Sequence, residues 1–455
     1  MDELLLSLGS FLVTLGLLVT VHEFGHFWVA RRLGVKVLRF SVGFGKPLWS
    51  RRAGADQTEY VIGMLPLGGY VNMLDETEAP VDAEEVHRAF NRQGVGRRMA
   101  IVVAGPVANL LFAVVAYWLM FIIGVTGVRP LLGIVEPGTP AARAGFSAGE
   151  EIISVEGSPT PTWEAVTIAL LQNSMDQEVV RLETVGPSEK HHIRSINVEG
   201  VMLGEPGTAL HDLGFHPGRF PLIPVLDTVE PGGAAFKAGL EPGDRIRSAN
   251  DQPIEYWEQW VEYVRTHPGQ TIQIEVDHLG GHRALTIVPV AQAGPHGATV
   301  GRIGASVRIP EGYGERLRAD LSYPPKEALG AALTKVREMS ILTLRLLGKM
   351  IEGEASVDNL SGPLSIAQLA GKSAAVGLSP FLAFLGLVSL SLGVLNLFPI
   401  PVLDGGHLLY YLIELVTGKP LPEWILAWGQ KLGTALLLSL MTLAVFNDLN
   451  RLFGS

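Results

Sequence analysis

The chain has 455 residues, enough for several domains, and its 47% hydrophobic and 18% charged residues make it too apolar for an ordinary soluble protein. A formal net charge of −10 argues against general nucleic-acid binding, because phosphate contacts require a basic surface. The absence of cysteine excludes disulfides, thiolate metal ligands and a cysteine nucleophile. Composition therefore predicts a membrane protein with a substantial water-exposed part.

Four apolar stretches have the roughly 20-residue length that crossing a bilayer requires. They cover about residues 4–30, 99–125, 376–398 and 428–446. The first stretch lacks the basic start and the small-residue cleavage site of a signal peptide, so we expect it to be retained. The chain is therefore predicted to form a polytopic α-helical membrane protein with four transmembrane helices.

The first stretch contains His22, Glu23 and His26 in an H-E-x-x-H pattern. On a helix, imidazoles at i and i+4 share one face, as two zinc ligands require, and the adjacent glutamate can act on a water at the metal. Ionisable side chains in mid-membrane are costly, so three within five residues need a compensating role. The structural alternative is that these polar side chains merely pack in a helix bundle.

Basic residues cluster in the connection between the first two stretches, which the positive-inside rule places in the cytoplasm. They are Arg31, Arg32, Lys36, Arg39, Lys46, Arg51, Arg52, Arg97 and Arg98. The N-terminus and the long segment from about residue 127 to 375 are then predicted to lie on the opposite face of the membrane.

The second stretch places Asn109 in a small-residue segment that begins at Gly105. A buried asparagine must find a hydrogen-bond partner. Two interpretations remain open: the side chain joins helices as structural glue, or it takes a direct part in catalysis.

An internal repeat with an offset of 94 residues follows the second stretch. Glu136-Pro137-Gly138 recurs as Glu230-Pro231-Gly232, and the turn glycines and a strand-opening isoleucine recur without a gap. Each copy then has a tryptophan that opens a helical stretch. The copies resemble PDZ domains, which capture extended peptides at a sheet edge. They are predicted to be two extracytoplasmic α/β domains, acting either as peptide receptors or as filters without a peptide ligand.

Basic residues also interrupt the apolar stretch from Ala328 to Met350, at Lys335, Arg337, Arg345 and Lys349. This pattern suits an amphipathic helix lying on the membrane better than a membrane span. The alternative is a helix that packs on the second copy of the repeat.

The third stretch ends in an N-x-x-P-x-P-x-L-D-G-G pattern that begins at Asn396 and contains Asp404. Irregular backbone at membrane depth is tolerated only inside protein or beside water. His22 lies roughly 13 Å before the cytoplasmic boundary, so it can meet Asp404 in the inner half of the membrane. Catalytic zinc usually takes three protein ligands, and Asp404 is the predicted third. A turn-forming role for Asp404 and ligation by His407 are the alternatives.

The H-E-x-x-H pattern, the late Leu-Asp-Gly pattern and the PDZ-like copies between them resemble the site-2 protease family of intramembrane zinc metalloproteases. The segment Asn359–Pro363 adds to the likeness, which covers essentially the whole chain. The resemblance implies that His22, His26 and Asp404 bind Zn²⁺ and that Glu23 is the general base. It also implies that Asn396 lies near the substrate or the developing oxyanion.

The resemblance also assigns the strand-like runs at residues 42–45 and 60–71 to a cytoplasmic-side β-hairpin loop that dips toward the active site. Such a hairpin can hold substrate as an added strand, whereas the alternative is a solvated loop. The small-residue segment around Asn109 is implied to lie against the zinc helix. The candidate substrate-binding residues are Gly43, Gly45, Gly68, Gly69 and Asn109.

The implied substrate is the transmembrane segment of a single-span membrane protein, such as an anti-sigma factor already trimmed outside, with remnant signal peptides as a further class. The PDZ-like pair is implied to act as a size filter or substrate gate. The implied location is the bacterial inner membrane, with the N-terminus and the PDZ-like domains in the periplasm. The lipid bilayer and the substrate are the expected partners, nucleic acid is not, and the oligomeric state is left open.

These inferences divide the chain into nine segments. They are 1–31, first transmembrane helix; 32–97, cytoplasmic loop with the hairpin; 98–126, second transmembrane helix; 127–220 and 221–309, PDZ-like domains; 310–375, amphipathic helical linker; 376–406, third transmembrane helix; 407–427, cytoplasmic loop; and 428–455, fourth transmembrane helix.

Two other protein classes deserve comparison. One is a membrane-tethered PDZ adaptor with an inactive metal site. If the chain is instead a protease, a purified Glu23→Gln protein should lose cleavage of a model transmembrane substrate, and unchanged cleavage would contradict the role of Glu23. A metal transporter would line an ion path with intramembrane histidine and aspartate, but four spans without an inverted repeat of the histidine motif argue against it.

Overall fold

The structure is a computed structural model and describes residues 2–77, 79–186, 188–201, 208–217, 221–278, 280–293, 299–353 and 362–453. Residues 359–361 of the Asn359–Pro363 motif lie outside these ranges. The chain divides into two compact units, Met1–Thr126 with Asp320–Ser455, and Gly127–Ala319.

Helices and strands are numbered in chain order. The first part of the chain contains α1 (Asp2–Arg32), β1 (Val37–Ala53), β2 (Thr58–Met73), a 3-10 turn (Val86–Arg88), α2 (Val95–Ile123) and β3 (Val125–Val128). The second contains α3 (Pro140–Arg143), β4 (Glu151–Val155), β5 (Ser158–Pro159), α4 (Trp163–Ser174), β6 (Val179–Val185), β7 (His191–Asn197), α5 (Ala209–Leu213), β8 (Leu226–Val229), α6 (Ala234–Lys237), β9 (Arg245–Ala249), β10 (Gln252–Pro253), α7 (Trp257–Thr266), β11 (Ile272–His278), β12 (Gly281–Ile287), β13 (Val290–Ala293), β14 (Thr299–Arg302), β15 (Ala305–Val307) and α8 (Tyr313–Leu317). The last contains β16 (Arg318–Leu321), α9 (Pro325–Glu352), α10 (Pro363–Val376), α11 (Leu378–Asn396), α12 (Asp404–Thr417) and α13 (Glu423–Phe453).

Four helices in the described part of the chain are long and apolar enough to cross a membrane, as the sequence predicts. They are Leu4–Arg32 within α1, Val95–Ile123, Leu378–Asn396, and Glu423–Asn450 within α13. Arg31 and Arg32 lie in the last turn of α1, where positive charge interacts favourably with the helix dipole.

Helix α2 is central to its unit because glycines let its neighbours approach closely. A Cβ added at Gly25 of α1 would overlap the backbone carbonyl of Ala104, and one at Gly393 of α11 would lie 3.0 Å from the Pro106 oxygen. Membrane helices commonly associate through such small residues.

Helix α9 corresponds to the predicted amphipathic stretch. Its Ala332 is fully buried and packs with Tyr117 and Met120 of α2, and Val336 extends the contact to Leu390 of α11. The sequence pattern indicates the membrane surface or the second repeat as the partner of this helix, but not these two helices.

Strands β1 and β2 form the antiparallel ribbon that the strand-like runs predict. Residues 39–42 of β1 lie between the two halves of β2, with Phe40 opposite both Tyr60 and Val71. Phe27 of α1 packs with Phe40 and Tyr60, which fixes the base of the ribbon on the helix.

Helix α13 fixes the start of α10 through a buried carboxylate. Asp448 is 1% exposed and accepts hydrogen bonds from the backbone N–H groups of Gly362, Leu364 and Ser365 at 2.9–3.2 Å. A carboxylate at this position satisfies N–H groups that the first helical turn leaves unpaired. A side chain at residue 362 would overlap Asp448, so a glycine is required there.

The unit of residues 127–319 contains two four-stranded sheets with the same topology. Their strand orders are β5-β4-β6-β7 and β10-β9-β11-β12. Each sheet packs with its longest helix, α4 or α7, over its own apolar core, around Ile152 and Trp163 in one and Ile246 and Trp260 in the other. The 94-residue repeat in the sequence therefore corresponds to a repeated structure.

Candidate metal centre

The H-E-x-x-H pattern lies in the second half of α1, where helical periodicity brings its histidines together. The Nε2 atoms of His22 and His26 lie 3.2 Å apart, and their rings meet edge to face. Both side chains are shielded, with 12% and 11% of their surfaces exposed.

Asp404 reaches this pair because the chain turns sharply after α11. The turn contains Val402 at a φ of 97°, a conformation that is unfavourable for a β-branched residue and persists only where the surroundings impose it. Side chains at Gly405 and Gly406 would overlap the backbone of Phe398 and Ile400, so the tight path requires glycine at both positions. Helix α12 then begins at Asp404 itself.

The three side chains converge on one point. Asp404 Oδ2 lies 3.1 Å from His22 Nε2 and 3.5 Å from His26 Nε2. A tetrahedral zinc site with bonds of about 2.0–2.1 Å has edges of roughly 3.3 Å, so these separations fit the ligands of one zinc ion. Asp404 Oδ2 is buried and has no hydrogen bond of good geometry within the described ranges, and a bound cation would satisfy it.

Helix α2 forms the wall behind the histidines. The Ile101 carbonyl accepts a hydrogen bond from His26 Nδ1 at 2.8 Å, which leaves Nε2 without a proton and available to a metal. Gly105 lies directly against both rings, because a Cβ there would overlap His26 and lie 2.9 Å from His22.

Asn109, one turn beyond Gly105, contacts the other histidine. Its side chain is fully buried, and its Nδ2 lies 3.2 Å from His22 Nδ1, while its Oδ1 has no partner among the described residues. Coordination through His22 Nε2 leaves the proton on Nδ1, which then needs an acceptor. Turning the amide by 180° places Oδ1 there, since amide oxygen and nitrogen are nearly isosteric.

We expect Asn109→Ala to weaken zinc binding by roughly 10- to 100-fold, the usual effect of removing a group that orients a metal ligand. Asn109→Asp keeps an acceptor and should lose less. Zinc affinity is measured by competition with a chelator in the purified full-length protein.

Ser389→Ala is the matched control, because the Ser389 hydroxyl donates to the Asn109 backbone carbonyl at 2.8 Å and not to its side chain. Its zinc affinity should stay at the wild-type value. An Asn109→Ala protein with unchanged zinc affinity and a lower melting temperature would instead support the structural-glue interpretation.

Glu23 lies beside the histidines and faces strand β2. The backbone N–H of Val71 donates a hydrogen bond to its carboxylate, and a Cβ at Gly69 would lie 3.0 Å from Glu23 Cγ. The carboxylate is therefore held between the histidine-bearing helix and a strand of the ribbon.

The other predicted site residues are connected less directly with the three candidate ligands. Asn396 is half-buried at the end of α11, and no hydrogen bond joins it to the three candidate ligands in the described part of the chain. His407 contacts the Tyr410 ring and does not join the cluster of candidate ligands. Of the four predicted glycines, Gly69 contacts Glu23, whereas those at 43, 45 and 68 lie in the ribbon with positive φ. The Ile101 carbonyl was not predicted, since every residue carries one.

Comparison with known proteins gives consistent matches along the chain. Residues 10–440 match the pattern described as peptidase family M50. The Regulator of sigma-E protease RseP of Escherichia coli (strain K12) is 43% identical over 456 residues, which cover 99% of this chain and 100% of that protein. A Putative zinc metalloprotease of Vibrio cholerae serotype O1 is 43% identical over 457 residues, with 99% and 100% covered. The Putative zinc metalloprotease NMA0084 of Neisseria meningitidis serogroup A is 42% identical over 452 residues, with 98% and 100% covered.

Proposed function

Because the chain belongs to peptidase family M50, the site-2 proteases, and is therefore a zinc metalloprotease, we propose that it cleaves single-span membrane proteins within their transmembrane segments. The observation that carries this proposal is the convergence of Asp404 with His22 and His26, which lie beside Glu23 on a helix long enough to span a membrane. Family membership favours the protease over the adaptor and the transporter.

We assign roles to the residues from their positions and, for Asn396, from the family resemblance alone. His22, His26 and Asp404 would hold the zinc ion, which would supply a Lewis acid for the scissile carbonyl and for a water molecule. Glu23 takes the proton from the attacking water and returns it to the nitrogen of the leaving amine. The Val71 N–H holds the Glu23 carboxylate toward the strand, where the substrate backbone enters. Asn396 donates to the carbonyl oxygen as negative charge develops on it.

The substrate must be extended before it is cut, because a helix encloses its peptide bonds in its own hydrogen bonds. We assign the holding of extended substrate to the β1–β2 ribbon, by addition of a strand. The ribbon exposes large apolar side chains, with Leu48 69%, Trp49 49% and Met64 52% exposed, which suits contact with lipid. Gly43, Gly45 and Gly68 shape this ribbon through positive φ, and Gly69 through its close approach to the Ser41 backbone oxygen.

The proposed location is the bacterial inner membrane, with the N-terminus and the PDZ-like domains in the periplasm. The repeated domains admit substrates whose extracytoplasmic part has already been trimmed, as in an anti-sigma factor. A steric filter of this kind gives specificity by excluding wrong partners, without any new attractive contact.

The test reconstitutes the full-length protein in liposomes with two model substrates. Both carry the same transmembrane segment, and they differ only in a long or short extracytoplasmic domain. We expect the short form to be cleaved at least about tenfold faster, a difference of about 1.4 kcal/mol, with product masses that place the cut inside the membrane segment.

Different outcomes would contradict the steric filter and the cleavage within the membrane segment. Equal rates for both substrates would contradict the filter and leave the protease intact. A cut mapped outside the transmembrane segment would contradict intramembrane cleavage. A substrate with a scrambled apolar segment of equal length controls for recognition of sequence.

A further inference from the structure

A second group of side chains suited to a metal lies in the first copy of the repeat. Ligand atoms of Glu136, His211 and His216 all lie within 4.8 Å of one another. His216 Nε2 is 3.3 Å from Glu136 Oε1, and the two imidazole rings meet edge to face with centroids 4.9 Å apart. The mechanism proposed above uses none of these residues.

The local fold holds the two histidines on one side of a short turn. Helix α5 ends at Leu213, and Gly214 at a φ of 91° reverses the chain so that His216 returns beside His211. Leu213 and Phe215 are 0% and 1% exposed in the domain core. Leu213 and Phe215 flank Gly214 and lie just before His216. Their burial therefore anchors the backbone that carries the two histidines.

The carboxylate is held against the same turn. A Cβ at Gly214 would overlap the Thr139 side chain, so this segment packs directly on the turn that starts at Glu136. The Thr139 hydroxyl donates to the Glu136 carbonyl oxygen at 2.7 Å and closes that turn. Segments that are far apart in the sequence therefore present their ligand atoms to one point.

We propose that Glu136, His211 and His216 bind a divalent transition-metal ion, with zinc as the preferred ion. Two imidazoles and one carboxylate form a ligand set that zinc accepts with one position left for water. The distance from His216 to Glu136 matches the roughly 3.3 Å edge of a tetrahedral site, and His211, with 64% of its side chain exposed, has room to rotate inward.

The surroundings also suit a cation. A cleft of about 520 Å³ adjoins the histidines, lined by Thr167, Ala209, Leu210, His211, Phe215, His216 and Pro217, and it leaves room for a water ligand. Asp212 Oδ1 lies 3.8 Å from His211 Nδ1, so its negative charge adds to the attraction of the site for a cation.

The second copy of the repeat provides a contrast. Glu230 occupies the position that corresponds to Glu136 at the 94-residue offset, and Arg302 pairs with it at 3.2 Å. In that copy a fixed positive side chain neutralises the glutamate, whereas in the first copy two histidines face it. The metal is therefore expected in the first copy alone.

The experiment measures zinc bound per chain in the full-length protein after removal of any affinity tag. Equilibrium dialysis against a chelator-buffered zinc solution is followed by elemental mass spectrometry. Wild-type protein should hold two zinc ions, and the His211→Ala/His216→Ala double variant one. His191→Ala/His192→Ala, which removes two histidines from the same domain, is the matched control and should keep both ions.

Glu136→Gln provides a conservative second variant, and hydrogen exchange provides a second measurement. Zinc should slow exchange of backbone amides in residues 208–217 of the wild type, because an ion that binds only the folded segment stabilises it. Glu136→Gln should lose most of that protection. A wild type with one ion, or a double variant that keeps two, would overturn the proposal, as would wild-type exchange that zinc leaves unchanged. Cleavage activity is not needed for any of these outcomes.

Discussion

The Glu23→Gln protein is expected to bind zinc normally and to lose cleavage of a transmembrane substrate. Glutamine has nearly the shape of glutamate but cannot accept a proton from water. General acid–base catalysis contributes roughly 10²- to 10⁴-fold, so the rate should fall by at least about 10²-fold. The measurements are turnover of a single-span substrate in liposomes and zinc content of the same preparation.

Glu85→Gln is the control for this experiment. Glu85 is another partly shielded glutamate of the same unit, 33% exposed, and it pairs with Lys36 at 2.6 Å, outside the ribbon. Its replacement should leave the rate within a few-fold of wild type, since exposed or partly exposed ion pairs contribute only about 1 kcal/mol. Unchanged cleavage by the Glu23→Gln protein would remove Glu23 from the mechanism, and loss of its zinc would assign it to metal binding instead.

The Asp404→Asn protein is expected to lose zinc and, with it, all cleavage. Removal of a group that only orients a ligand costs roughly 10- to 100-fold in metal affinity, so loss of an anionic ligand should cost at least about 100-fold. The fold should survive, because Asp404 Oδ2 makes no hydrogen bond of good geometry within the described residues. Chelator competition gives the affinity, and circular dichroism checks the helices.

His407→Ala separates the two candidates for the third ligand. His407 lies one helical turn after Asp404 and is likewise half-buried, but its ring faces Tyr410. Its replacement should leave zinc affinity unchanged. The opposite result, with zinc retained by Asp404→Asn and lost by His407→Ala, would reverse the assignment.

The core of this site could be predicted because its residues follow local rules. His22 and His26 are four residues apart on one helix, and helical geometry alone places them together. Predicting Asp404 as a ligand required a further step. The depths of His22 and Asp404 in their membrane segments had to be compared, and both are predicted to lie in the inner half of the membrane. The family resemblance is confirmed, and the four apolar helices appear where hydropathy places them.

The residues behind the ligands could not be predicted in the same way. The carbonyl of Ile101 is chemically identical to every other backbone carbonyl, and only the approach of α2 brings it to His26. Gly105 has no side chain that could suggest a role, yet it allows that approach. Asn109 was identified by its polarity, but the contact with His22 depends on tertiary packing.

Long-range packing also decided the environment of α9. Its charge pattern indicates an amphipathic helix but does not indicate which apolar surface packs against Ala332. The same holds for Asp448, whose partners at the start of α10 precede it by more than 80 positions. Sequence periodicity predicts the elements, whereas small residues at crossing points decide how they pack.

The separation of the ligands along the chain has a consequence for biosynthesis. His22 and His26 leave the ribosome well before Asp404 does. At about 5–20 residues per second, the roughly 380 intervening residues take roughly 20–75 s to synthesise. Two imidazoles without the carboxylate do not complete the proposed three-ligand site. We therefore expect the growing chain to stay inert among newly inserted membrane proteins until α11 and α12 have joined the bundle.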